Sequence, residues 1–432
     1  MIENPAPIPS SAVPAGAVAW SSGDAAEWAR ARPPAWARPL WAVLALLGAV
    51  GWAIGVEPVP VCGDAAPCGP DWAGMAQVGL AAGCLIWLAA ASDLVLVAAP
   101  VLGVMVTLSE LPGAGASEAT ANLAVLGALA FGWAGALRRV TGRRRQRELA
   151  ERAAGGTRHP VPRPLRPLRR GAALLTAGAL LCAVSGAAVA LGLEGIRADE
   201  RRAARATAAE GQVLGRHAES VRVRLDGSRA VEVAAGWPGD YPVGGTVTVL
   251  EDGEWRRLAA EPYDAFGWQA LVLAAGLPGV SLLASGAVAG RRAASARRAP
   301  VPVLRVLERL DGTGRLQIHP ADDTAGRAPA FACHCTLAEP YAEDGGDAGE
   351  EERAGEDGGV PRLRDVLGFG RVDLASLDTT LHEAVLYGAP HDGGELILVT
   401  TTGAEPHEVR VLAAGPLRAP LATAPEDSPR TA

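Results

Sequence analysis

The chain has 432 residues, of which 49 % are hydrophobic, and a formal net charge of −7. All forty basic residues are arginine, which excludes P-loop, kinase-type and Schiff-base lysines. The acidic balance argues against a general nucleic-acid-binding protein. The apolar residues are concentrated in long runs, which is typical of a multispan membrane protein.

Six stretches approach the ~20 apolar residues that a helix needs to cross a bilayer. They cover residues 36–56, 73–91, 94–108, 119–137, 171–193 and 268–290. The third is short and contains Pro100. Ser92 and Asp93 form the polar break between the second and third stretches, which predicts a tight helical hairpin. Residues 1–35 are rich in Pro and Ala and lack a continuous apolar signal core, so we expect a disordered cytoplasmic tail.

The distribution of arginine predicts the orientation. Residues 138–170 carry twelve arginines and no aspartate, whereas the short loops 57–72 and 109–118 carry no arginine. We therefore expect a multi-pass protein of the cell membrane, with both termini cytoplasmic and residues 194–267 outside. The basic loop 138–170 could hold anionic lipid headgroups, could dock an acidic segment of the C-terminal region, or could only set the topology.

The external segment 194–267 has two parts. Residues 196–210 are charged and rich in alanine, so we expect a stalk that continues the fifth helix. The pattern then alternates with a period of two, which predicts five short strands in a small barrel or curled sheet. These strands cover residues 212–217, 220–225, 229–234, 246–250 and 255–258.

A resemblance rests on five runs within this segment: Glu210-Gly211-Gln212-Val213, Val221-Arg222-Val223, Asp226-Gly227, Tyr241-Pro242-Val243-Gly244-Gly245 and Thr246-Val247-Thr248-Val249-Leu250. Together they resemble the bacterial domain of unknown function number 3592, which lies between two membrane helices. The resemblance covers about a fifth of the chain and implies no catalytic residues. In composition the whole chain is similar to poorly characterised integral membrane proteins of GC-rich bacteria.

Residues 291–422 predict a cytoplasmic β-rich domain. Strand patterns lie at residues 302–307, 315–319, 328–338, 383–387, 395–401 and 408–413. They are interrupted by an acidic stretch, 343–359, which we expect to be a disordered insertion. Residues 423–432 are expected to be a disordered tail.

Several apolar stretches carry small residues four positions apart. Gly79 and Gly83 form one such pair, and Gly178, Cys182 and Gly186 form a longer series. These steps either allow close helix packing or arise by chance from an Ala- and Gly-rich composition. No ionisable residue lies well inside a span, unlike in most ion-coupled transporters.

The candidates for chemistry are few. Cys333-His334-Cys335, with His319 nearby, contains zinc-ligand types, but a strand would place both sulfurs on one face, and two core cysteines are the alternative. His382 and His391 lie near Asp392, and His217 near Glu219, in predicted turns. There is no GxSxG or HExxH motif. We therefore expect no catalytic residues, no cofactor and no metal site.

The remaining cysteines lead to one specific prediction. Cys62 and Cys68 flank five residues in the first external loop, where disulfides persist and the chain can fold back on itself. We expect a Cys62–Cys68 disulfide, with two unpaired external thiols as the alternative. Cys84 and Cys182 are expected to be free within membrane helices, and Cys333 and Cys335 free in the cytoplasm.

The predicted fold class is an α-helical membrane protein with six transmembrane helices, a small extracytoplasmic β domain and a cytoplasmic β-rich C-terminal domain. We interpret it as a non-enzymatic scaffold, assembly or signalling component of the envelope. The alternatives are a small transporter or channel component and a membrane-bound hydrolase. The expected partners are the lipid bilayer and unidentified proteins, and nucleic acid is not expected.

Overall fold

The computed structural model describes residues 5–58, 61–64, 67–162, 171–225, 229–298, 300–311, 315–340, 380–401, 409–415 and 417–420. The chain forms two compact units, each built from separate stretches. The first unit comprises Met1–Arg38, Leu137–Ala173 and Gly286–Ala432. The second unit comprises Pro39–Ala136 and Leu174–Ser285.

Seven α-helices are described, and six of them are long and apolar enough to cross a membrane. The helices are α1 Ser22–Arg30, α2 Pro39–Val56, α3 Trp72–Ala90, α4 Ser92–Ser109, α5 Ala116–Ala153, α6 Ala172–Ala203 and α7 Phe266–Arg298. The six long helices, α2 to α7, contain the six predicted stretches almost completely. Pro100 lies inside α4 without ending it. Ala91 alone separates α3 from α4, and Asp93 lies in the first turn of α4, where a negative charge complements the helix dipole.

The structure differs from the expected basic loop at 138–170. Helix α5 continues without a break to Ala153, because residues 143–152 are mostly good helix formers. The short strand β2, Arg158–His159, follows it. Residues 163–170 lie outside the described part of the chain.

The second unit contains a five-stranded antiparallel sheet. Its strands are β3 Thr207–Arg216, β4 Ser220–Leu225, β5 Ala230–Ala234, β6 Thr246–Asp252 and β7 Trp255–Leu258, in the order β5-β4-β3-β6-β7. Alternate residues are buried, as the period-two pattern predicts, and they form one apolar core. The expected stalk is shorter than predicted, since α6 ends at Ala203 and β3 begins at Thr207.

The first unit contains a larger sheet. Its C-terminal strands are β8 Val301–Leu310, β9 Leu316–Pro320, β10 Phe331–Cys333, β11 Cys335–Pro340, β12 His382–Tyr387, β13 Leu396–Thr401 and β14 Val409–Ala414. Their order is β10-β9-β8-β12-β13-β14-β11. Only His334 separates β10 from β11, although these strands lie at the two ends of the order, so the sheet curls back on itself. The acidic insertion 343–359 and the tail 423–432 lie outside the described residues.

The expectation of a disordered tail is wrong for residues 5–35. Strand β1, Val18–Ala19, pairs in parallel with β8, and α1 packs on the same sheet. Trp20 and Trp28 are 1 % and 0 % exposed. Burial of two indole rings provides the apolar surface that offsets the entropy of ordering this Pro- and Ala-rich segment.

Candidate functional site

A disulfide joins Cys62 and Cys68 in the loop between α2 and α3, at the predicted position. Cys62 is 4 % exposed and belongs to the core of the five-stranded sheet. Its backbone N–H donates to the Asp240 carboxylate at 3.0 Å, and the Cys68 N–H donates to the Ala260 carbonyl at 2.8 Å. The bridge therefore attaches this loop to the sheet.

Two further carboxylates organise the same surface. Asp64 accepts hydrogen bonds from the Thr248 hydroxyl at 2.7 Å and from its N–H at 3.1 Å. Glu261 accepts the N–H groups of Gly236 and Trp237. Burial raises the pKa of Tyr241, and the neighbouring Glu261 carboxylate raises it further, so this phenol stays neutral. The carboxylates of Asp64, Asp240 and Glu261 therefore fix the loops around the five-stranded sheet through hydrogen bonds.

In the first unit, the end of α5 is bound to the hairpin between β12 and β13. Nη2 of Arg147 lies 2.8 Å from Nε2 of His391, while Nδ1 of His391 lies 3.1 Å from the Ala389 carbonyl oxygen. This geometry assigns the imidazole proton to Nδ1, because Nε2 must accept from the guanidinium. The side chain of Gln146 accepts the Asp392 N–H at 2.9 Å. Both turn histidines of the sequence, His382 and His391, are buried.

The N-terminal segment contacts the same hairpin. Arg32 Nε lies 3.4 Å from the Asp392 carboxylate, and its guanidinium carbon lies 4.9 Å from the centre of the Trp28 ring. Arg32 also donates to the Ala330 carbonyl, and Trp28 donates to the Pro390 carbonyl. We call these contacts of Trp28, Arg32, Gln146 and Arg147 with residues 389–392 the hairpin clamp.

A carboxyl group is buried on the sheet itself. Glu308 on β8 is 5 % exposed and accepts a hydrogen bond from the Thr400 hydroxyl at 2.8 Å. Burial raises the pKa of Glu308 to about 7, although the Thr400 hydrogen bond opposes this. His382 is the direct cross-strand partner of Glu308, and its Nε2 lies 2.8 Å from the Thr380 hydroxyl oxygen. Both side chains are buried, and each is close to a threonine hydroxyl.

The predicted zinc-type cluster is divided by the fold. The Cys333 thiol is buried, with its sulfur 3.8 Å from the Leu316 carbonyl oxygen, whereas His334 is exposed. His319 pairs with Asp323 at 2.9 Å, and its pKa is lowered by burial. Among the described residues no three His, Cys, Asp or Glu side chains are arranged to hold a metal ion. The side chain of Cys335 lies outside the described part.

Two other candidate residues from the sequence, His217 and Glu219, lie at the surface. They are exposed in the turn between β3 and β4 and form no ion pair with each other.

An open groove of about 650 Å³ lies at the C-terminal end of α5. It is lined by Glu148, Glu151, Arg152, Gly155, Gly156, Thr157, Arg158 and Pro302. Since both charge signs line it, the groove does not specify a ligand class.

Small residues mark where long helices approach each other. A Cβ atom on Gly178 would lie 2.8 Å from the Leu283 backbone nitrogen, and one on Gly79 would lie 2.5 Å from the Leu273 side chain. Nothing lies within 4 Å of the corresponding position on Gly186. Gly79 and Gly178 therefore lie at close packing contacts with α7, whereas Gly186 faces open space.

Sequence reasoning missed the N-terminal contribution to the hairpin clamp. A local signal was present, because Ser21 and Asp24 form a capping box that starts α1, with Ser21 accepting the Asp24 N–H at 3.1 Å. The loop after β9 also contacts this helix start, since Asp322 accepts the Ser22 hydroxyl and N–H. No comparable local signal identifies the partners of Trp28 or Arg32.

The chain matches no protein-family model, and no curated protein and no solved structure is significantly similar to it. Its function must therefore be inferred from its own residues and contacts.

Proposed function

We propose that this chain is a multi-pass protein of the cell membrane that works without catalysis, as a scaffold, assembly or signalling component. The observation that carries the proposal is the chain connectivity of the C-terminal β domain. Four of the six long apolar helices connect directly to the first unit, which contains this domain. Residues 5–38 precede α2, α5 extends into the hairpin clamp, α6 begins within the unit at Ala172, and α7 leads into β8. A domain connected in this way can respond to a change in the helices.

The proposed orientation follows from the arginines and the disulfide. Arginine-rich segments flank the helix ends that we assign to the cytoplasm. The Cys62–Cys68 bridge lies in the loop that we assign to the oxidising side. The five-stranded sheet, which lies between α6 and α7 in the chain, is then outside.

The polar side chains of the apolar helices favour a packing role over conduction. The Trp87 indole N–H donates to the Ser281 hydroxyl at 2.8 Å, and the Ser281 hydroxyl donates to the Leu277 carbonyl. The Ser185 hydroxyl donates to the Val272 carbonyl at 3.1 Å. These groups bond to neighbouring helices or to their own helix, which is how polar groups stabilise helix packing in lipid.

The proposal is tested by photo-crosslinking in cells that express the full chain. A photoreactive residue replaces Val243, which is 60 % exposed in the turn before β6, or exposed Glu395 before β13. We expect protein adducts of defined mass at one or both positions. As the matched control, the same residue at Val97, 68 % exposed on apolar α4, should give lipid adducts.

The outcomes separate the parts of the proposal. Protein adducts of defined mass support a scaffold or signalling role. Their absence at both positions contradicts that role. Absence of lipid adducts at Val97, with the protein present, contradicts insertion into the membrane.

A further inference from the structure

Arginine side chains gather where the apolar part of α5 ends. Arg138, Arg144 and Arg145 are exposed, and none of them forms an ion pair with another residue that the structure describes. Arg138 and Arg145 are seven residues apart, so they lie on the same face of the helix two turns apart. This face begins directly after the apolar run that ends at Leu137.

The N-terminal segment brings more positive charge to this part of α5. A Cβ atom on Gly142 would lie 3.0 Å from the Ala31 carbonyl oxygen and 3.6 Å from the Pro33 ring. The chain therefore crosses α5 in direct contact with Gly142, between the arginines at 138 and 145. Arg30 precedes the crossing and Arg38 follows it, and both are exposed.

Neither Arg30 nor Arg38 is neutralised by a described ion pair. Asp392 pairs with Arg32 and Glu27 with Arg152, while Glu148, one turn after Arg144 on α5, forms no described ion pair. We call the exposed arginines at the crossing the basic collar: Arg30, Arg38, Arg138, Arg144 and Arg145. Five exposed like charges in one region repel each other unless an external anionic group compensates them.

We propose that the basic collar binds the phosphate headgroups of anionic phospholipids. Guanidinium groups match phosphate oxygens in a bidentate arrangement, and each arginine near an anionic membrane surface adds to the attraction. The inference rests on the proposed membrane insertion. It goes further by assigning a lipid class to residues from two distant parts of the chain.

The position of the collar selects a lipid over a soluble anion. Arg38 directly precedes Pro39, the first residue of apolar α2, and Arg138 directly follows the apolar run of α5. Trp36, which is 42 % exposed, lies two residues before Arg38, and tryptophan favours the headgroup level of a bilayer. Helix α5 and the N-terminal segment thus present their charges where lipid phosphates lie.

The test uses the full chain reconstituted in phosphatidylcholine vesicles that contain a trace of spin-labelled phosphatidylglycerol or spin-labelled phosphatidylcholine. Electron paramagnetic resonance measures the motionally restricted fraction of each lipid, and their ratio gives the preference for the anionic headgroup. The variant is the triple substitution R138Q/R144Q/R145Q. The matched control is R202Q/R222Q/R224Q, which removes three exposed arginines of α6 and β4 at the same cost in charge.

We expect the wild-type chain and the control to prefer phosphatidylglycerol, and the collar variant to lose this preference by about threefold or more at low salt. An unchanged preference in the collar variant, or an equal loss in the control, overturns the proposal. If neither spin-labelled lipid shows a restricted fraction, the proposed membrane insertion itself is wrong. A restricted fraction without headgroup preference refutes the collar alone.

Discussion

The indole N–H of Trp28 donates a hydrogen bond to the carbonyl oxygen of Pro390 at 2.8 Å, across 362 positions of sequence. Trp28 also packs edge-on against Trp20, with ring centres 6.1 Å apart. Its ring is tilted against that of Phe331, with ring centres 5.4 Å apart. Trp28 lies on α1, a helix of nine residues. Helix α1 is therefore part of the C-terminal β domain, although it precedes every long apolar helix in the chain.

The first prediction concerns this tryptophan. Trp28→Ala should lower the free energy of unfolding of the first unit by about 3–5 kcal/mol, because it leaves a large cavity in the core. Trp28→Phe should destabilise the unit less, because phenylalanine retains an aromatic ring in the core. Its remaining cost comes from the smaller ring and from the lost hydrogen bond to Pro390. Thermal unfolding of the full chain in detergent, read by limited proteolysis, measures both. Trp237→Ala is the control, because Trp237 is 65 % exposed in the other unit, and an equal loss there would contradict the expectation.

The second prediction concerns the disulfide. Replacing both Cys62 and Cys68 by serine should destabilise the sheet of the second unit by about 2 kcal/mol, since the bridge restrains the unfolded chain. It should also loosen the contacts of Asp64 with Thr248. Hydrogen exchange of β6 in the full chain measures this, and unchanged protection of β6 would count against it.

The same cysteines report the orientation. A membrane-impermeant maleimide applied to intact cells should label Cys62 and Cys68 only after reduction. Strong labelling without reductant would refute the bridge in cells. No labelling after reduction, with the protein confirmed present, would refute the external position of this loop.

The third prediction compares two glycines of α6. Gly178→Val should separate α6 from α7, because a Cβ atom there meets Leu283 and Gly279 backbone atoms at 2.8 and 2.9 Å. We expect a loss of about 1–3 kcal/mol in stability, the usual range for overpacking. Gly186→Val should be tolerated, because the space beside Gly186 is open. Melting of the two variants in the same detergent measures the difference, and equal midpoints would show that α6 and α7 do not pack as described.

The fourth prediction concerns pH. Glu308 has a pKa of about 7 in the folded chain, raised by burial from an ordinary value of 4.5. Between these values the folded state retains a proton that the unfolded state has released. The contribution of Glu308 to stability is therefore fully present below about pH 4.5 and is lost as the pH rises through 7.

Glu308→Gln should remove this loss, because the amide stays neutral at every pH. The melting temperature of the variant, measured from pH 5 to 8, should therefore fall less than that of the wild type. Glu383→Gln serves as the control, since Glu383 is partly exposed and pairs with Arg305 at 3.6 Å. A wild-type slope in the Glu308 variant would contradict the assignment.

The predictable parts of the fold are those with a local pattern. The six long apolar helices are recognised because continuous apolar surface has few other stable arrangements. Strands β4 and β7 have the predicted bounds, because alternation with a period of two shows directly which residues face a core. The position of the disulfide also follows from a short, flexible loop between two cysteines.

The candidate sites were less predictable. The sequence placed two histidines near Asp392, but the structure shows that His391 pairs with Arg147, 244 positions earlier. It also suggested a Cys-His-Cys cluster, which the break between β10 and β11 at His334 divides. Residues 5–35 resemble a disordered tail in composition, and only the packing of Trp20 and Trp28 in the core of the larger sheet shows why they are ordered.

The long apolar helices, the alternating strands and the cysteine pair follow from local sequence, because each depends on residues close together in the chain. That the N-terminal segment belongs to the C-terminal β domain, and that Arg30 and Arg38 flank the crossing over α5, is visible only in the folded chain. The same holds for the burial of Glu308. These features depend on contacts between residues far apart in the chain, from 92 positions for Glu308 and Thr400 to 362 for Trp28 and Pro390, and burial at such contacts is set by the packing of the whole unit.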